Sequence, residues 1–442
     1  MIERKKWHIL FCTILITWWP SKHYGQQRPL SLTDAISLGI AHSQVLRLDK
    51  ARTEETMSRY LQAKDASLPT GNINASFSHM EVPADRIQLG NLNWALGKRG
   101  ETYTAHAGIR ETIYSGNQLR YARKSALLLT QLATLDLERH TSEVVYTIAE
   151  IYHDLYKVNS SIKVAKQNLS AIDSLIKQAN DLYEHGIVTK NDVLRFRLQH
   201  SEVAITSSNL ESERQVLQYN LNILLGLPEN TIIEPAATLP PDNAGTSLEQ
   251  FLEDAFRLRQ ELKQSAVQSA LDDTHIRSIR AEQLPTLHGS LTADYIHGGA
   301  AFIPPAGTYL TPVSIGATAA WNFSSLWYNK HKIATAKIQQ QQTTIQRDVI
   351  KEAISREVST CYQRYRQALR NIQLLQTAID QASENNRIQT DRYKNNITSV
   401  TDLIDADSRL YQTLTNMEIA RSDASLLWFR LSKAIGNLST SH

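Results

Sequence analysis

The chain has 442 residues, with 47 Lys or Arg against 44 Asp or Glu, and a formal net charge of +3. Arg4, Lys5, Lys6 and Lys22 against Glu3 account for that whole excess, so residues after 25 are close to neutral. This balance leaves no basic footprint for nucleic acid.

The first segment, residues 1–25, has the pattern of a signal peptide. Three basic residues precede the apolar run WHILFCTILITWW at 7–19, and Pro20 ends that run. Its 13 residues suit the apolar region of an export signal and are too few for a membrane-spanning helix. A buried N-terminal helix is the alternative. Removal of residues 1–25 takes Cys12 with it and leaves Cys361 alone, which excludes an intrachain disulfide and a cysteine-based zinc site.

The remaining chain contains two sequence repeats. The first repeat spans 26–226 and the second 247–436, with a connector at 227–246 and a tail at 437–442. Three positions recur at an offset of 216: Leu32, Leu46 and Pro69 become Leu248, Leu262 and Pro285. Five more recur at 210: Tyr152, Tyr183, Gly186, Asp192 and Gly226 become Tyr362, Tyr393, Asn396, Asp402 and Gly436. The connector is rich in Pro and turn residues.

Each repeat predicts the same order of elements. A helix of roughly 35 residues begins at the capping pattern of Ser31 or Ser247 and ends at Pro69 or Pro285. A β-hairpin follows, at 72–113 in the first repeat and 286–323 in the second. A very long helix, a turn and a shorter helix complete the repeat, which ends at Gly226 or Gly436.

The long helices have a heptad pattern typical of coiled coils. In the first repeat the apolar positions are Val144, Ile148, Ile151, Leu155, Val158, Ile162, Ala165, Leu169, Ile172, Ile176, Ala179 and Tyr183. The same spacing recurs 210 positions later, from Ile354 to Tyr393. At 1.5 Å per residue, the first long helix spans about 100 Å, and the two shorter helices stacked end to end match that length. Each repeat therefore predicts a rod two helices wide, although a soluble coiled coil has the same seam.

The hairpin strands alternate apolar and polar residues over the length that crosses a bilayer. The segment VSIGATAAWNF at 313–323 is the clearest example, and a soluble sheet with one wet face alternates equally well. Four strands cannot close a barrel, and a bilayer admits no open sheet edge. A membrane interpretation therefore needs several copies of the chain, and three copies would supply twelve strands and six helical rods.

The turn YEHGIVTKNDVL at 183–194 is repeated as YKNNITSVTDLI at 393–404, and Leu-Pro pairs end both first helices. In this order and duplication the chain resembles the outer-membrane efflux protein family, the TolC-like ducts. The resemblance implies a mostly α fold with a transmembrane β part: a homotrimer with a twelve-stranded β-barrel and a long periplasmic α-helical barrel. It implies passive export across the outer membrane of a Gram-negative bacterium, with an inner-membrane pump and a periplasmic adaptor as partners.

The resemblance also assigns roles at the two turns, which would form the periplasmic tip. Gly186 and Asn396 would make the turns, since both residue types tolerate a left-handed backbone. Asp402 and Asp405 would line a cation-selective constriction, where crowded like charges should raise some pKa values. Tyr393 and Asp192 would hold the gate closed, while Thr398 replaces an Arg common in the family. The plainer alternative for the aspartates is a solvated helix start.

No enzyme motif is present: the sequence lacks a P-loop, G-x-S-x-G, H-E-x-x-H and a dinucleotide fingerprint. The 14 His residues are scattered, so no metal site and no cofactor are predicted. The rival function is a periplasmic coiled-coil adaptor or scaffold of an export complex. Adaptors usually have one helical hairpin and lack duplicated transmembrane-type strands, which favours the duct.

Overall fold

A computed structural model describes residues 27–81, 86–95, 99–236, 246–298, 308–395 and 397–438. The signal peptide predicted at 1–25, Asn396 of the second predicted turn and residues 439–442 of the tail lie outside these ranges, as does 237–245 of the connector.

The two halves repeat one order of elements, apart from the short strands between the two hairpin strands of each half. The first contains β1 (Gln27–Leu30), α1 (Leu32–His42), α2 (Gln44–Asp65), β2 (Thr70–Glu81), β3 (Arg86–Leu89), β4 (Leu92–Ala95), β5 (Arg99–Tyr114), α3 (Gln118–Glu184) and α4 (Lys190–Leu225). The second contains β6 (Ile232–Pro235), α5 (Leu248–Leu258), α6 (Gln260–Ala281), β7 (Thr286–His297), β8 (Tyr309–Leu310), β9 (Val313–Ala320), α7 (Ser325–Lys394) and α8 (Val400–Ile435). The fold is mostly helical with a β part, as the sequence predicts.

The first helix of each half is interrupted, which corrects the prediction of one helix of roughly 35 residues. Ser43 separates α1 from α2 with φ −59° and ψ 116°, and its side chain accepts a hydrogen bond from the amide of Leu46. Arg259 separates α5 from α6 with φ −59° and ψ 127°. The Arg259 guanidinium lies 2.9 Å from Glu261 and 3.0 Å from Glu357 and donates to the carbonyl of Ala434. The N-cap at Ser43 and these contacts at Arg259 each stabilise one extended residue. The helical periodicity of the sequence continues through both positions and therefore did not predict the interruptions.

The predicted connector contains a strand. β6 pairs in parallel with β1, with Gln27 opposite Ile232. The Tyr152 hydroxyl donates to the carbonyl of Leu30 at 2.8 Å and accepts from the amide of Ala236 at 2.8 Å. A buried tyrosine of α3 thus ties the strand pair to the middle of the long helix.

Four strands form the main sheet in the order β2-β5-β7-β9, with the short β8 also beside β7. All neighbours are antiparallel, and one row across the sheet is Ile73, Ala107, Ala293 and Val313. The apolar face of this sheet is exposed in the single chain: Ile73 is 84 % and Ile315 is 87 % accessible. Within the ranges that the structure describes, β2 and β9 each pair on one side, so both outer edges of the sheet are open there.

Below the sheet, the helices form two long hairpins, α3 with α4 and α7 with α8. α3 has 67 residues and α7 has 70, so each spans about 100 Å. Their buried positions follow the heptad seam, with Ile148, Leu155 and Val158 in α3 and Ile354, Val358 and Cys361 in α7. The repeated seam therefore sets the side on which each long helix packs.

Among the described residues, no helix is both long and apolar enough to cross a membrane.

Candidate functional site at the hairpin tips

The first tip is a glycine-centred turn between α3 and α4. Gly186 has φ +72°, its amide donates to the carbonyl of Tyr183 at 2.9 Å, and Ile187 donates to Leu182 at 2.9 Å. A Cβ at Gly186 would meet nothing within 4 Å. The positive φ, and not a lack of space, therefore requires glycine here. The matching Asn396 of the second tip lies outside the described residues.

Asp192, predicted as a gate residue, caps the start of α4. Its carboxylate accepts from the Thr189 amide at 2.9 Å and from the Thr189 hydroxyl at 2.8 Å. The amide of Asp192 in turn donates to the Thr189 hydroxyl at 3.3 Å. This reciprocal capping box orders the first turn of α4 directly after the tip.

Asp402, predicted for the selectivity ring, occupies the equivalent position in α8. The Ser399 hydroxyl donates to its carboxylate at 2.7 Å and the Thr398 hydroxyl at 3.2 Å. These hydrogen bonds, that of Ser399 first, lower the pKa of Asp402 because they stabilise its ionised form. Within one chain the pKa of Asp402 is thus lowered, whereas crowded like charges were expected to raise it. Thr398 is thus a hydrogen-bond donor to the aspartate.

Asp405, the second predicted ring residue, lies one turn further along α8. Its carboxylate is 2.9 Å from the Arg409 Nε, and both side chains are exposed. The spacing of three residues places Asp402 and Asp405 on one side of the helix. Arg409 offsets part of the negative charge of these two aspartates. The resemblance did not predict a basic residue at this position.

Tyr393 joins the two hairpins in a buried cluster at the tip. It is 2 % exposed, and its ring packs edge-to-face on Phe196 of α4 at 5.9 Å. The rest of the cluster consists of Ala179, Val193, Val400 and Leu403. Burial, and then the negative charge of Asp192, raise the pKa of Tyr393. Its hydroxyl has no hydrogen-bond partner among the described residues, so Tyr393 and Asp192 are neighbours without a direct bond.

Two polar links between the hairpins were missed by sequence reasoning. Arg195 of α4 donates to the Thr401 hydroxyl of α8 at 2.8 Å, and Gln199 donates to the Ser408 hydroxyl at 3.1 Å. The repeat offset was the available signal, because 401 − 195 = 206 and 408 − 199 = 209, close to the offset of 210 between the two turns. The links bring together near-equivalent positions of the two repeats.

A buried acid near the second tip was also missed. Asp407 is 5 % exposed on the seam between α8 and α7, and burial raises its pKa to about 6, against the opposing hydrogen bond of Asn386. One of its carboxylate oxygens has no partner among the described residues. Asn386 and Gln389 make the last turns of the α7 heptad seam polar, and Asn386 was the signal for a polar partner on α8.

No three His, Cys, Asp or Glu side chains of the described ranges are grouped as metal ligands. The tip presents exposed carboxylates near two capped helix starts. Its buried aromatic pair, Phe196 and Tyr393, packs the two helical hairpins against each other.

Solved structures that share this fold are described as outer-membrane proteins or outer-membrane channels. VceC of Vibrio cholerae has a TM-score of 0.77 at 17 % identity, covering 92 % of this chain and 96 % of that one. CmeC of Campylobacter jejuni has a TM-score of 0.77 at 13 % identity, covering 93 % and 87 %. The open state of MtrE of Neisseria gonorrhoeae has a TM-score of 0.70 at 16 % identity, covering 92 % and 90 %.

Sequence comparison points to the same proteins. Residues 35–227 match the family described as outer membrane efflux protein, which confirms the resemblance predicted from the duplicated turn. No curated protein matches the chain significantly. The matched family is described as efflux proteins, and CmeC and MtrE as channels, in agreement with the prediction that this chain is not an enzyme.

Proposed function

We propose that the chain is the outer-membrane exit duct of an efflux or secretion system, through which substrates leave passively. The observation that carries the proposal is the four-stranded sheet with two open edges and an exposed apolar face. Such a sheet is unfavourable in water and impossible alone in lipid, because each unpaired backbone group in a bilayer costs several kcal/mol.

Pairing between copies removes both problems. β2 of one copy lies beside β9 of the next, and three copies with four main strands each make a closed ring of twelve. The apolar face, with Ile73 and Ile315, then faces lipid, while the polar face surrounds the lumen. The match with a family of outer membrane efflux proteins supports this location.

The helical part extends into the periplasm. Each copy contributes two hairpins of about 100 Å, so three copies surround a tube with six. The tips lie farthest from the membrane, where an adaptor and an inner-membrane pump deliver the substrate. Gly186 turns the chain at this end of the first hairpin.

The tip also controls passage in this proposal. Asp402 and Asp405 of three copies form a ring that favours cations, and Tyr393 and Asp192 stabilise the closed arrangement. Support comes from the exposure of both ring carboxylates and from the burial of Tyr393 between hairpins.

The test is the mass of the detergent-extracted mature chain, followed by conductance in a planar bilayer. A trimer in the membrane fraction that conducts ions supports the duct. A water-soluble monomer or dimer without conductance would overturn it and favour the adaptor or scaffold function.

A further inference from the structure

An exposed row of aromatic rings runs from the end of β9 onto the first turn of α7. Trp321 and Phe323 are 6.3 Å apart, Phe323 and Trp327 5.8 Å, and Trp327 and Tyr328 6.1 Å between ring centroids. Trp327 is 53 % and Tyr328 69 % accessible. The row is continuous with the exposed apolar face of the sheet and lies at its helical end.

The protein-facing side of this helix start is already occupied. The Ser325 hydroxyl donates to the carbonyl of Glu282, and the Asn329 amide donates to the carbonyl of Ile279 at 3.1 Å. Trp327 lies two positions from each of these residues, which is about 200° around the helix. Its indole therefore points away from α6.

Positive charge follows the aromatic row. Lys330 is exposed and lies three positions after Trp327, on the same side of the helix. Lys332 is 3.4 Å from Glu282, so its charge is partly balanced within the chain. An aromatic belt followed by a lysine is the side-chain order of a surface that meets first hydrocarbon and then phosphate.

The first half repeats only part of this arrangement. When α3 and α7 are aligned by their first residues, the offset is 325 − 118 = 207, so Tyr121 and Arg123 stand where α7 has Tyr328 and Lys330, and Arg120 stands where α7 has Trp327. Trp327, which connects Phe323 to Tyr328 in the row, is therefore not a requirement of the repeated fold.

We propose that Trp327, Tyr328 and Lys330 form a binding surface for phospholipid headgroups at the periplasmic face of the outer membrane. The rings lie among the headgroups, and the Lys330 ammonium pairs with a lipid phosphate. The inference rests on the proposed function, because it requires the sheet to cross the membrane. It adds that the first turn of α7 itself enters the lipid interface.

Two observations favour lipid over a second copy of the chain as the occupant. The rings continue directly from an apolar sheet face that itself needs lipid. The aromatic-to-lysine order also complements a phosphate-bearing interface, where tryptophan and tyrosine rings are favoured.

Tryptophan quenching tests the depth of each site. Full-length variants that keep one tryptophan, with the others changed to Phe, are reconstituted in vesicles of phosphatidylethanolamine and phosphatidylglycerol. These lipids carry bromine either near the headgroup end or near the middle of the acyl chain. Trp321 reports insertion of the sheet, and Trp428, which packs on Phe251 in the helical part, is the matched control outside lipid.

We expect Trp327 to be quenched more by shallow than by deep bromine, with Trp428 unaffected. Quenching of Trp321 without Trp327 would overturn this inference and leave the proposed function standing, whether water or a second copy covers the indole. Absence of quenching at both would overturn the proposed function as well. If the Trp327-only variant does not assemble, Tyr328→Trp in a Trp327→Phe chain reports the same surface.

Lys330 is tested by a matched pair of substitutions. Lys337 is exposed on the same helix seven residues further from the sheet, about 10 Å along the axis. We expect Lys330→Gln to reduce the shallow quenching of Trp327 and Lys337→Gln to leave it unchanged. Equal effects of the two variants would overturn the pairing of Lys330 with phosphate.

Discussion

The Arg409 guanidinium lies 2.9 Å from the Asp405 carboxylate, one turn along α8. One of the two acidic side chains proposed for the selectivity ring thus has a cationic neighbour in its own chain. Both side chains are exposed, so this pair is screened by solvent and Asp405 retains much of its influence on ions in the lumen. Substitution of Arg409 should therefore change the net charge of the proposed ring.

The ring is tested by charge removal. We expect Asp402→Asn with Asp405→Asn to reduce cation selectivity, measured as reversal potential across a salt gradient, and Arg409→Gln to increase it. Arg387→Gln is the control, because Arg387 also pairs with acidic neighbours on an exposed helix face but on α7. Selectivity retained in the double variant would place the filter elsewhere.

The gate is tested by two single changes. Asp192→Ala removes the capping box of α4, worth about 1 kcal/mol, and we expect a higher resting conductance in a planar bilayer. Tyr393→Phe keeps the packed ring and removes the hydroxyl. We expect the resting conductance to rise here too, because a buried hydroxyl with no partner among the described residues calls for one in the assembly.

Asp34→Ala serves as the capping control, since Asp34 occupies the same cap position in α1 beside Ser31. The gate assignment is wrong if Tyr393→Phe and Asp192→Ala both leave resting conductance unchanged.

Asp407 should make stability depend on pH. Its folded pKa of about 6 is above the ordinary value of 3.8, so the folded state favours the protonated acid. The associated stability is complete below about pH 4 and is lost as the pH rises through about 6. We expect Asp407→Asn to be more stable than the parent at pH 8, by up to roughly 3 kcal/mol. The variant should also not lose stability as the pH rises through about 6.

Denaturant unfolding between pH 4 and pH 8 measures the effect of Asp407, with the exposed Asp405→Asn as control. Equal pH profiles of the parent and Asp407→Asn would show that Asp407 is not held in a desolvated site.

Two glycines with positive φ should respond differently to alanine. At Gly186 a Cβ has free space, so Gly186→Ala should cost only the backbone term of about 1–2 kcal/mol. At Gly226, with φ +66°, a Cβ would lie 2.5 Å from the His42 ring, so Gly226→Ala should cost more. Thermal unfolding of the two alanine variants compares their losses of stability. Gly186→Asn should be less destabilising than Gly186→Ala, because asparagine tolerates a positive φ better. Equal destabilisation by both alanines would contradict the geometric difference.

The amino-acid sequence determined the features that depend on local periodicity. A period of two residues identified the strands around Ile73 and Ile315, and a period of seven identified the seam through Ile148 and Val358. The positive φ at Gly186 also follows from residue type, because few other residues adopt it without cost. Because the sequence is duplicated, the strand pattern and the heptad pattern each occur twice. This repetition supported the resemblance to the outer-membrane efflux protein family.

Only the tertiary structure decided how distant segments meet. The break at Arg259 depends on Glu357 of α7 and Ala434 of α8, which are distant along the chain and become neighbours when these two helices pack beside it. The links of Arg195 with Thr401 and of Gln199 with Ser408 have the same origin. Asp407 looks like another exposed acid in DLIDAD, and its pKa is raised because packing against α7 removes water. Contacts and desolvation between distant segments have no local period, so the sequence carried only indirect signals of them, namely the offset between the repeats and the polar Asn386 in the α7 seam.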